Sequence, residues 1–340
     1  MAGRALSGVS EGIRASAPLR LDLAGGWSDV PPFSAMQGGA VVNVAIRLSA
    51  TARWVPGGQG IRLVSRDLRQ DLHGARLGEL DQSGKLRLLR AALRVTPIEP
   101  PFSLETDCDA PPGSGLGSSG AVDVALARVL TGAREADVSR KELAELARKA
   151  EAEVAGVAGG KQDQYAAAFG GFHLFEFQDP DVSVRPLQLD SDFASALARQ
   201  TVLCYTGQSR VSGNTITRVM TAYAKGAPAV TAALLELKDL AYAMAEALVS
   251  ADLERVAVLL SRNWLCQQAL DLEMQTDLMK KLEVAAVNAG ALGGKAAGAG
   301  AGGSMFFVMP DDPAPLVDAA KRLGMMVLPV EWSWEGVRSC

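Results

Sequence analysis

The sequence predicts an α+β protein with two domains. Its first third alternates apolar and polar residues between turn signals, which is the pattern of half-buried strands. From Ser212 to about Asn288, Ala and Leu instead recur at helical spacing. Because strands and helices are mixed without strict strand–helix–strand alternation, α+β layers are favoured over a doubly wound parallel sheet. The 340 residues are enough for two hydrophobic cores, and the expected domains are 1–192 and 193–340.

Local signals define the individual elements. Ser139 and Glu142 form a capping box, and the apolar spacing after it predicts a helix that continues to about Val154. A short helix is expected at 315–323, whereas residues 290–303 are rich in Gly and Ala and are expected to be flexible. The expected strands are 19–23, 41–46, 50–54, 61–64, 102–106, 172–177, 201–205, 304–308 and 325–330.

Composition and charge argue against several classes of function. The formal net charge is −4 and Lys and Arg form no extended run, so a nucleic-acid-binding surface is not expected. No apolar segment has the length of a membrane span and no secretory signal is visible, so a cytoplasmic protein without membrane contact is expected. The 4 cysteines lack the paired spacing of zinc sites or a disulfide framework. The sequence leaves the oligomeric state open, and a homodimer is one option.

The strongest chemical signal is a glycine-rich turn at 112–120, which reads PGSGLGSSG and opens onto the apolar stretch 121–130. Glycine allows backbone amides to come close to a ligand. A helix that begins near Ser118 would direct its free N–H groups and the positive end of its dipole into the turn. Such a turn binds an anion, and phosphate is the anion expected. The hydroxyls of Ser118 and Ser119 can ligate the Mg²⁺ that accompanies a nucleotide.

Two familiar phosphate loops fit this turn poorly. A Walker A loop requires Gly-Lys-Ser/Thr after the glycines, and that sequence is missing. Gly115, Gly117 and Gly120 do satisfy the dinucleotide pattern G-x-G-x-x-G. However, residues 110–112 separate the turn from the preceding strand, and the acidic Asp137 that follows lies in a loop rather than at the end of a strand. A hydride-transferring enzyme is therefore disfavoured.

Four segments resemble, in content and order, the motifs of the GHMP kinases, the superfamily of galactokinase, homoserine kinase and mevalonate kinase. They are 17–29 (APLRLDLAGGWSD), 112–119 (PGSGLGSS), 159–165 (GGKQDQY) and 295–304 (KAAGAGAGGS). The resemblance implies a two-domain GHMP kinase fold. Its N-terminal domain would be like domain 2 of ribosomal protein S5 and its C-terminal domain ferredoxin-like, with the active site between them.

The resemblance also implies an ATP-dependent kinase that uses Mg²⁺. Asp163 matches the catalytic carboxylate, which takes the proton of the attacking hydroxyl or only orients that hydroxyl. Arg20 matches a catalytic basic residue that stabilises charge on the γ-phosphate. Ser119 and Glu151 match the metal ligands, since Glu151 stands 12 residues before Asp163. The residues expected to bind ATP are Pro112, Gly113, Ser114, Gly115, Leu116, Gly117, Ser118 and Ser119.

Periodicity alone leaves other roles open for these residues. On a helical wheel Glu151 falls at the margin of the apolar stripe, where a solvated carboxylate would also fall. Arg20 alternates with Leu19 and Leu21, as would a side chain that faces solvent from a strand. Asp163 can equally be a capping residue in a tight turn.

Two branches of the family resemble the chain most, the heptose 7-phosphate kinases and the fucose kinases. Trp27 favours the fucose branch, because the heptose enzymes tend to carry glycine there, whereas 159–172 and 203–210 favour the heptose branch. Both branches phosphorylate the anomeric hydroxyl. The resemblance therefore implies a sugar 1-kinase, for D-glycero-D-manno-heptose 7-phosphate first and L-fucose second.

A set of residues is expected to contact the sugar, with Lys161 and Arg210 as cations for a distal phosphate. This set consists of Trp27, Asp29, Gly160, Lys161, Tyr205, Arg210, Gly300 and Gly302. A non-catalytic sugar-binding member of the fold is the remaining alternative. Such a protein would be expected to lose Asp163, Glu151 or Ser119, and all three are present.

Overall fold

The structure is a computed structural model that describes residues 12–80, 86–208 and 212–340. Within these ranges the strands form an eight-stranded and a four-stranded sheet. The strands are β1 (Ile13–Ala24), β2 (Gly39–Pro56), β3 (Ile61–Ser65), β4 (Gln70–Gly74), β5 (Phe102–Cys108), β6 (Phe172–Gln178), β7 (Asp181–Pro186), β8 (Thr201–Tyr205), β9 (Gly293–Ala296), β10 (Ser304–Val308), β11 (Met326–Leu328) and β12 (Arg338–Ser339).

The helices agree with the periodic segments of the sequence. They are α1 (Phe33–Gln37), α2 (Arg87–Val95), α3 (Ser118–Ala133), α4 (Arg140–Arg148), α5 (Gln162–Phe169), α6 (Ser191–Gln200), α7 (Ser212–Ala224), α8 (Pro228–Val249), α9 (Leu253–Leu270), α10 (Asp277–Asn288) and α11 (Ala314–Arg322), with a 3₁₀ turn at Leu77–Glu79 and a π-helical turn at Lys149–Val154. The capping box at the start of α4 is confirmed, because Ser139 and Glu142 bond reciprocally. No helix among the described residues has both the length and the hydropathy of a membrane span.

The long strand β2 organises the eight-stranded sheet. It pairs with β1 along most of its 18 residues, with β5 through its second half and with β6 through its first half. The sequence predicted two strands here, 41–46 and 50–54, and that division is wrong. The register of β1 against β2 shifts between Pro18 and Leu19, so β2 carries a bulge at Arg47 and Leu48. The bulge changes the phase of the apolar alternation, which made one strand look like two.

Helices α3, α5 and α8 pack against β1 and β2, and α4 lies beside α3 and α5. Every residue of β1 from Ala17 to Ala24 is buried, so both faces of this half of the strand are covered. A side chain that alternates with the core leucines of β1 is therefore not directed into solvent. This burial excludes the solvent-facing alternative for Arg20.

The four-stranded sheet has the antiparallel order β11-β8-β10-β9. Strand β9 lies in the segment 290–303 that the sequence predicted to be flexible, so that prediction is wrong for these residues. A Cβ on Gly293 would overlap the carbonyl of Ala257, and one on Gly294 would overlap the ring of Phe307. The glycines of β9 therefore permit close packing rather than flexibility.

The end of the chain returns to the first sheet. Strand β12 pairs with β1, and Trp332 forms an isolated bridge with Ile46. The expected boundary between 1–192 and 193–340 falls at the start of α6, ahead of the first strand of the second sheet. These domain limits stay a prediction, and residues 332–339 belong with the first sheet by their strand pairing.

We predict that this returning segment is anchored mainly by Trp332. Its ring is 8% exposed, its centroid lies 5.3 Å from that of Phe172, and its Nε1 donates to the carbonyl of Ala194 at 2.7 Å. Trp332→Ala should lower the free energy of unfolding in urea by about 3–5 kcal/mol. Trp334 also contacts Phe172 but is 59% exposed, so Trp334→Ala should cost less than about 1 kcal/mol. Equal losses from the two substitutions would contradict this assignment.

Candidate active site

The phosphate loop has the geometry that its sequence predicts. Helix α3 begins at Ser118, and its N-cap residue is Gly117, which has a φ of 74° in the left-handed region. No side chain caps the first turn, so the N–H groups of that turn point toward the loop without a side-chain acceptor. A Cβ on Gly117 would lie 3.2 Å from Arg20 Cγ and 3.3 Å from Asp163 Cγ. Glycine is therefore favoured by the backbone conformation, and a larger residue would also press on Arg20 and Asp163.

The phosphate loop is in backbone contact with the second glycine-rich segment. Ser304 N–H donates to the carbonyl of Ser114 at 2.8 Å. A Cβ on Gly298 would lie 2.5 Å from the carbonyl oxygen of Gly115, and one on Gly303 would lie 2.9 Å from that of Ser114. Two sequence motifs almost two hundred residues apart thus form one wall, and only glycine allows this approach.

Arg20 lies at the centre of this wall. Its Nε and Nη2 both lie 2.8 Å from Asp163 Oδ1, and its Nη1 donates to the carbonyls of Gly115 at 2.7 Å and Ala297 at 2.9 Å. The guanidinium is buried, whereas the Asp163 side chain is 27% exposed. The two predicted catalytic residues are therefore brought together, with Asp163 open to a ligand and Arg20 behind it.

A second buried ion pair joins the same two parts of the chain. Lys295 Nζ lies 3.0 Å from Asp22 Oδ2 and donates to the carbonyl of Asp22 at 2.7 Å. Neither side chain is more than 2% exposed, and burial lowers the pKa of Lys295 although the charge of Asp22 opposes this shift. The pair links β9 to β1 next to Arg20. Its role is to hold the wall together.

Glu151 and Ser119 are brought together by the π-helical turn. The N–H of Ala155 donates to the carbonyl of Ala150 at 2.9 Å, a bond one residue longer than that of an α-helix. This wider turn rotates Glu151 from the margin of the apolar stripe into the interior, where it is 7% exposed. Burial raises the pKa of Glu151, and hydrogen bonds from Ser119 and Gln164 oppose that rise.

The donors at this position fit Mg²⁺. A hydroxyl and a carboxylate are the hard oxygen ligands that this ion prefers, and it usually keeps few protein ligands when it accompanies phosphates. Within 12–80, 86–208 and 212–340, no group of three or more His, Cys, Asp or Glu side chains is arranged to hold a metal. Ser118, the other candidate hydroxyl, lies close to the Cys108 thiol, and its buried Oγ has no hydrogen-bond partner among the described residues.

Sequence reasoning missed one carboxylate in this region. Asp123 lies on α3 one turn after Ser119, is 1% exposed, and has no hydrogen-bond partner for either carboxylate oxygen among the described residues. Burial raises the pKa of Asp123 well above its usual range, and the charge of Glu151 adds to the rise. A single Asp within the apolar stretch 121–130 was the available signal.

Asp29 is oriented by the same helix that carries Asp163. Its carboxylate accepts from Gln162 N at 3.0 Å and from Gln162 Nε2 at 3.2 Å, at the start of α5. Burial raises the pKa of Asp29 to about 6, with smaller increases from Asp163 and Asp22 and an opposing effect from the Gln162 N–H. A Cβ on Gly160 would overlap Asp29 Oδ2, so Gly160 makes room for this carboxylate.

Two of the expected sugar contacts are not supported by the geometry. Trp27 is 3% exposed and packs in the core, so its ring has almost no free face for a sugar. Its φ of 83° is unusual for a bulky residue and is a conformation that glycine adopts readily. Lys161 Nζ lies 3.5 Å from Glu145 and 3.6 Å from Asp179, so its charge is already compensated.

The other expected sugar contacts are near the loop or outside the described residues. The Tyr205 hydroxyl lies 3.5 Å from the carbonyl of Pro112, at the start of the phosphate loop. Gly300 has a φ of 81° and packs against Met274, and Gly302 is buried with a φ of 123°. Arg210 lies outside the described residues.

Comparison with known proteins identifies the family. The model of the GHMP kinase N-terminal domain matches residues 85–171, and that of the GHMP kinase C-terminal domain matches residues 244–324. A D-glycero-alpha-D-manno-heptose 7-phosphate kinase of Campylobacter jejuni is 32% identical, over 96% of this chain and 98% of the relative. The chain belongs to the GHMP kinase family. The resemblance to this family is thereby confirmed.

Other relatives of this GHMP kinase support the same family assignment. A crystal structure titled as a D-glycero-D-manno-heptose 1-phosphate kinase from Bacteroides thetaiotaomicron superposes with a TM-score of 0.79 at 29% identity, and covers 96% of this chain and 98% of that one. The bifunctional fucokinase/GDP-fucose pyrophosphorylase of Arabidopsis thaliana is 28% identical, over 78% of this chain but only 27% of the relative. The two-domain GHMP kinase fold and phosphotransferase activity expected from the motifs are confirmed.

We predict that Asp29 makes the stability of this GHMP kinase depend on pH. The folded protein keeps the Asp29 proton up to about pH 6, whereas the unfolded chain releases it near 3.8. The group therefore stabilises the fold fully below about pH 4, and this contribution is lost as the pH rises through 6. Relative to Asp29→Asn, the unfolding free energy of the wild type should fall by about 3 kcal/mol between about pH 4 and pH 7.

The measurement is urea unfolding at a series of pH values. Asp192→Asn, at an exposed position on α6, is the matched control and should parallel the wild type. A difference between wild type and Asp29→Asn that is constant across this range would show that Asp29 titrates normally.

Proposed function

We propose that this chain is an ATP-dependent kinase that phosphorylates the anomeric (C1) hydroxyl of D-glycero-D-manno-heptose 7-phosphate. The observation that carries the proposal is the Arg20–Asp163 pair, which lies against Gly115 and Gly117 of the phosphate loop. Asp163 is partly exposed and Arg20 is buried behind it. This arrangement offers a carboxylate to an acceptor hydroxyl and a cation to a nearby phosphoryl group. Phosphoryl transfer requires both.

The reaction assigns a role to each part of the site. The amides of 113–119 and the first turn of α3 hold the triphosphate of ATP. The C1 oxygen of the sugar attacks the γ-phosphorus, the bond between that phosphorus and the β–γ bridging oxygen breaks, and ADP leaves. The hydroxyl proton passes to the Asp163 carboxylate, or to a phosphoryl oxygen if Asp163 only orients the hydroxyl. Arg20 holds Asp163 in place and stabilises the charge on the transferred group.

Ser119 and Glu151 are the residues that would hold Mg²⁺ in this kinase. When bound there, the ion neutralises charge on the phosphate oxygens. The contact between the two side chains and the all-oxygen donor set support this assignment. The role of the chain itself is to keep that carboxylate buried at the end of the phosphate loop.

The choice of sugar rests on the relatives and on Asp29. The Campylobacter relative that covers nearly the whole chain is named as a heptose 7-phosphate kinase. Asp29 lies beside the start of the helix that carries Asp163, and because it is 2% exposed and both of its oxygens accept from Gln162, it supports a sugar site here by its position rather than by a free face. L-Fucose is the second candidate, supported by the similarity to the fucokinase-containing protein. A cytoplasmic location and a homodimer remain expectations from the sequence.

The test of the substrate is an ADP-release assay with a panel of sugars. We expect turnover with D-glycero-D-manno-heptose 7-phosphate, and the position of the new phosphate can be read from the ³¹P coupling to the anomeric proton. Turnover with L-fucose alone would replace the heptose proposal with the second candidate. No ATP-dependent turnover with any sugar of the panel would contradict the proposed function.

We predict that Asp163→Asn lowers kcat by about 10²–10⁴-fold, because the amide cannot accept the hydroxyl proton. Nucleotide binding should survive, since the loop amides do not depend on this charge. The measurements are steady-state kinetics and the rise in Tm that ATP causes. Circular dichroism checks the fold, because the substitution also breaks an ion pair. Activity within about tenfold of the wild type would rule out proton transfer to Asp163.

A further inference from the structure

A second carboxylate lies beside Glu151, behind the phosphate loop. Asp123 follows Ser119 by one turn of α3, so both side chains project from the same face of the helix. Helix α3 packs against the π-helical turn that carries Glu151, and Ser119 hydrogen-bonds to Glu151. We refer to Asp123 and Glu151 as the dicarboxylate pair.

Nothing in the described part of the chain compensates Asp123. Its side chain is 1% exposed, and neither Oδ1 nor Oδ2 has a hydrogen-bond partner there. A buried carboxyl group without such a bond is costly whether it is charged or neutral. Buried polar groups that serve only the fold nearly always have a partner. A structural role therefore does not explain why Asp123 is buried.

The neighbours of the dicarboxylate pair serve Glu151 alone. Ser119 and Gln164 hydrogen-bond to Glu151, and the charge of Arg148 also favours its ionised form. The described neighbours therefore provide hydrogen bonds for one carboxylate of the pair, and the oxygens of Asp123 have no hydrogen-bond partner among them. Such a pair repels itself unless a cation lies between its members.

We propose that Asp123 and Glu151 together hold one divalent cation, Mg²⁺ or Mn²⁺, with the Ser119 hydroxyl as a further ligand. Hard cations take such oxygen donors, and their charge offsets both the repulsion and the cost of burial. The inference rests on the proposed function only for the nucleotide, whose phosphates would complete the same site. With two carboxylates the site holds the cation before the nucleotide binds. A site with a single carboxylate would need the phosphates of the nucleotide to hold it.

The experiment measures Mn²⁺ binding to the full chain without nucleotide. Electron paramagnetic resonance of free Mn²⁺ is followed during titration of metal-stripped wild type, Asp123→Asn, Glu151→Gln and the control Asp137→Asn, which alters an exposed carboxylate. Wild type and control should bind Mn²⁺ with a sub-millimolar dissociation constant. Asp123→Asn and Glu151→Gln should each weaken binding by at least about tenfold, the smallest loss typical of groups that merely orient metal ligands.

Two results would overturn the inference. One is a wild type that binds no Mn²⁺ in the absence of nucleotide. The other is an Asp123→Asn variant whose affinity for Mn²⁺ is within about twofold of that of the wild type, while Glu151→Gln has lost binding. That result would show that Glu151 binds the cation without Asp123. Failure of the proposed function is distinguishable, because a protein without sugar-dependent ADP release can still bind Mn²⁺ through this pair.

Thermal unfolding separates a ligand from a structural residue. In EDTA, Asp123→Asn should unfold at a Tm no lower than that of the wild type, because it removes a carboxyl group that makes no hydrogen bond in the described part of the chain. The rise in Tm that Mg²⁺ causes in the wild type should be lost in the variant. Asp123→Ala, which leaves no polar group, is the second variant. If both variants unfold at lower temperature than the wild type in EDTA, Asp123 is structural and the inference is wrong.

Discussion

The buried guanidinium of Arg20 is the interaction on which the active site depends. It joins Asp163, the carbonyl of Gly115 and the carbonyl of Ala297, which come from three motifs far apart in the sequence. A guanidinium offers five N–H donors in a fixed plane, so it can satisfy three acceptors at once, whereas an ammonium group has no such geometry. Because each acceptor compensates part of the charge, Arg20 can be buried between the two sheets.

Glycine makes this convergence sterically feasible. A side chain at Gly117 would press on both Arg20 and Asp163, and a Cβ at Gly120 would lie 2.7 Å from that of Asp163. On the other side, Gly298 lets the second glycine-rich segment reach the carbonyl of Gly115. The glycines of these motifs therefore serve two purposes, to expose amides to phosphate and to let the arginine reach its acceptors.

Motif spacing could predict which residues meet, but not how the backbone brings them there. Ser119 and Glu151 are in contact as their spacing from Asp163 suggested, yet their contact depends on a π-helical turn that periodicity cannot reveal. The burial of Trp27 and the ion pairs of Lys161 depend on residues distant in sequence, so local patterns could reveal neither. Strand β9 was missed because its glycines carry no alternation, although tertiary packing makes them a strand.

The return of the chain end to the first sheet has a mechanical consequence. The chain passes from the first sheet to the second through α6 and comes back between β11 and Trp332, and α8, between these two connections, also packs against β1 and β2. Any movement of the second sheet away from the first would therefore strain both connections and the packing of α8, and it would have to separate the glycine-rich wall at Ser114 and Ser304.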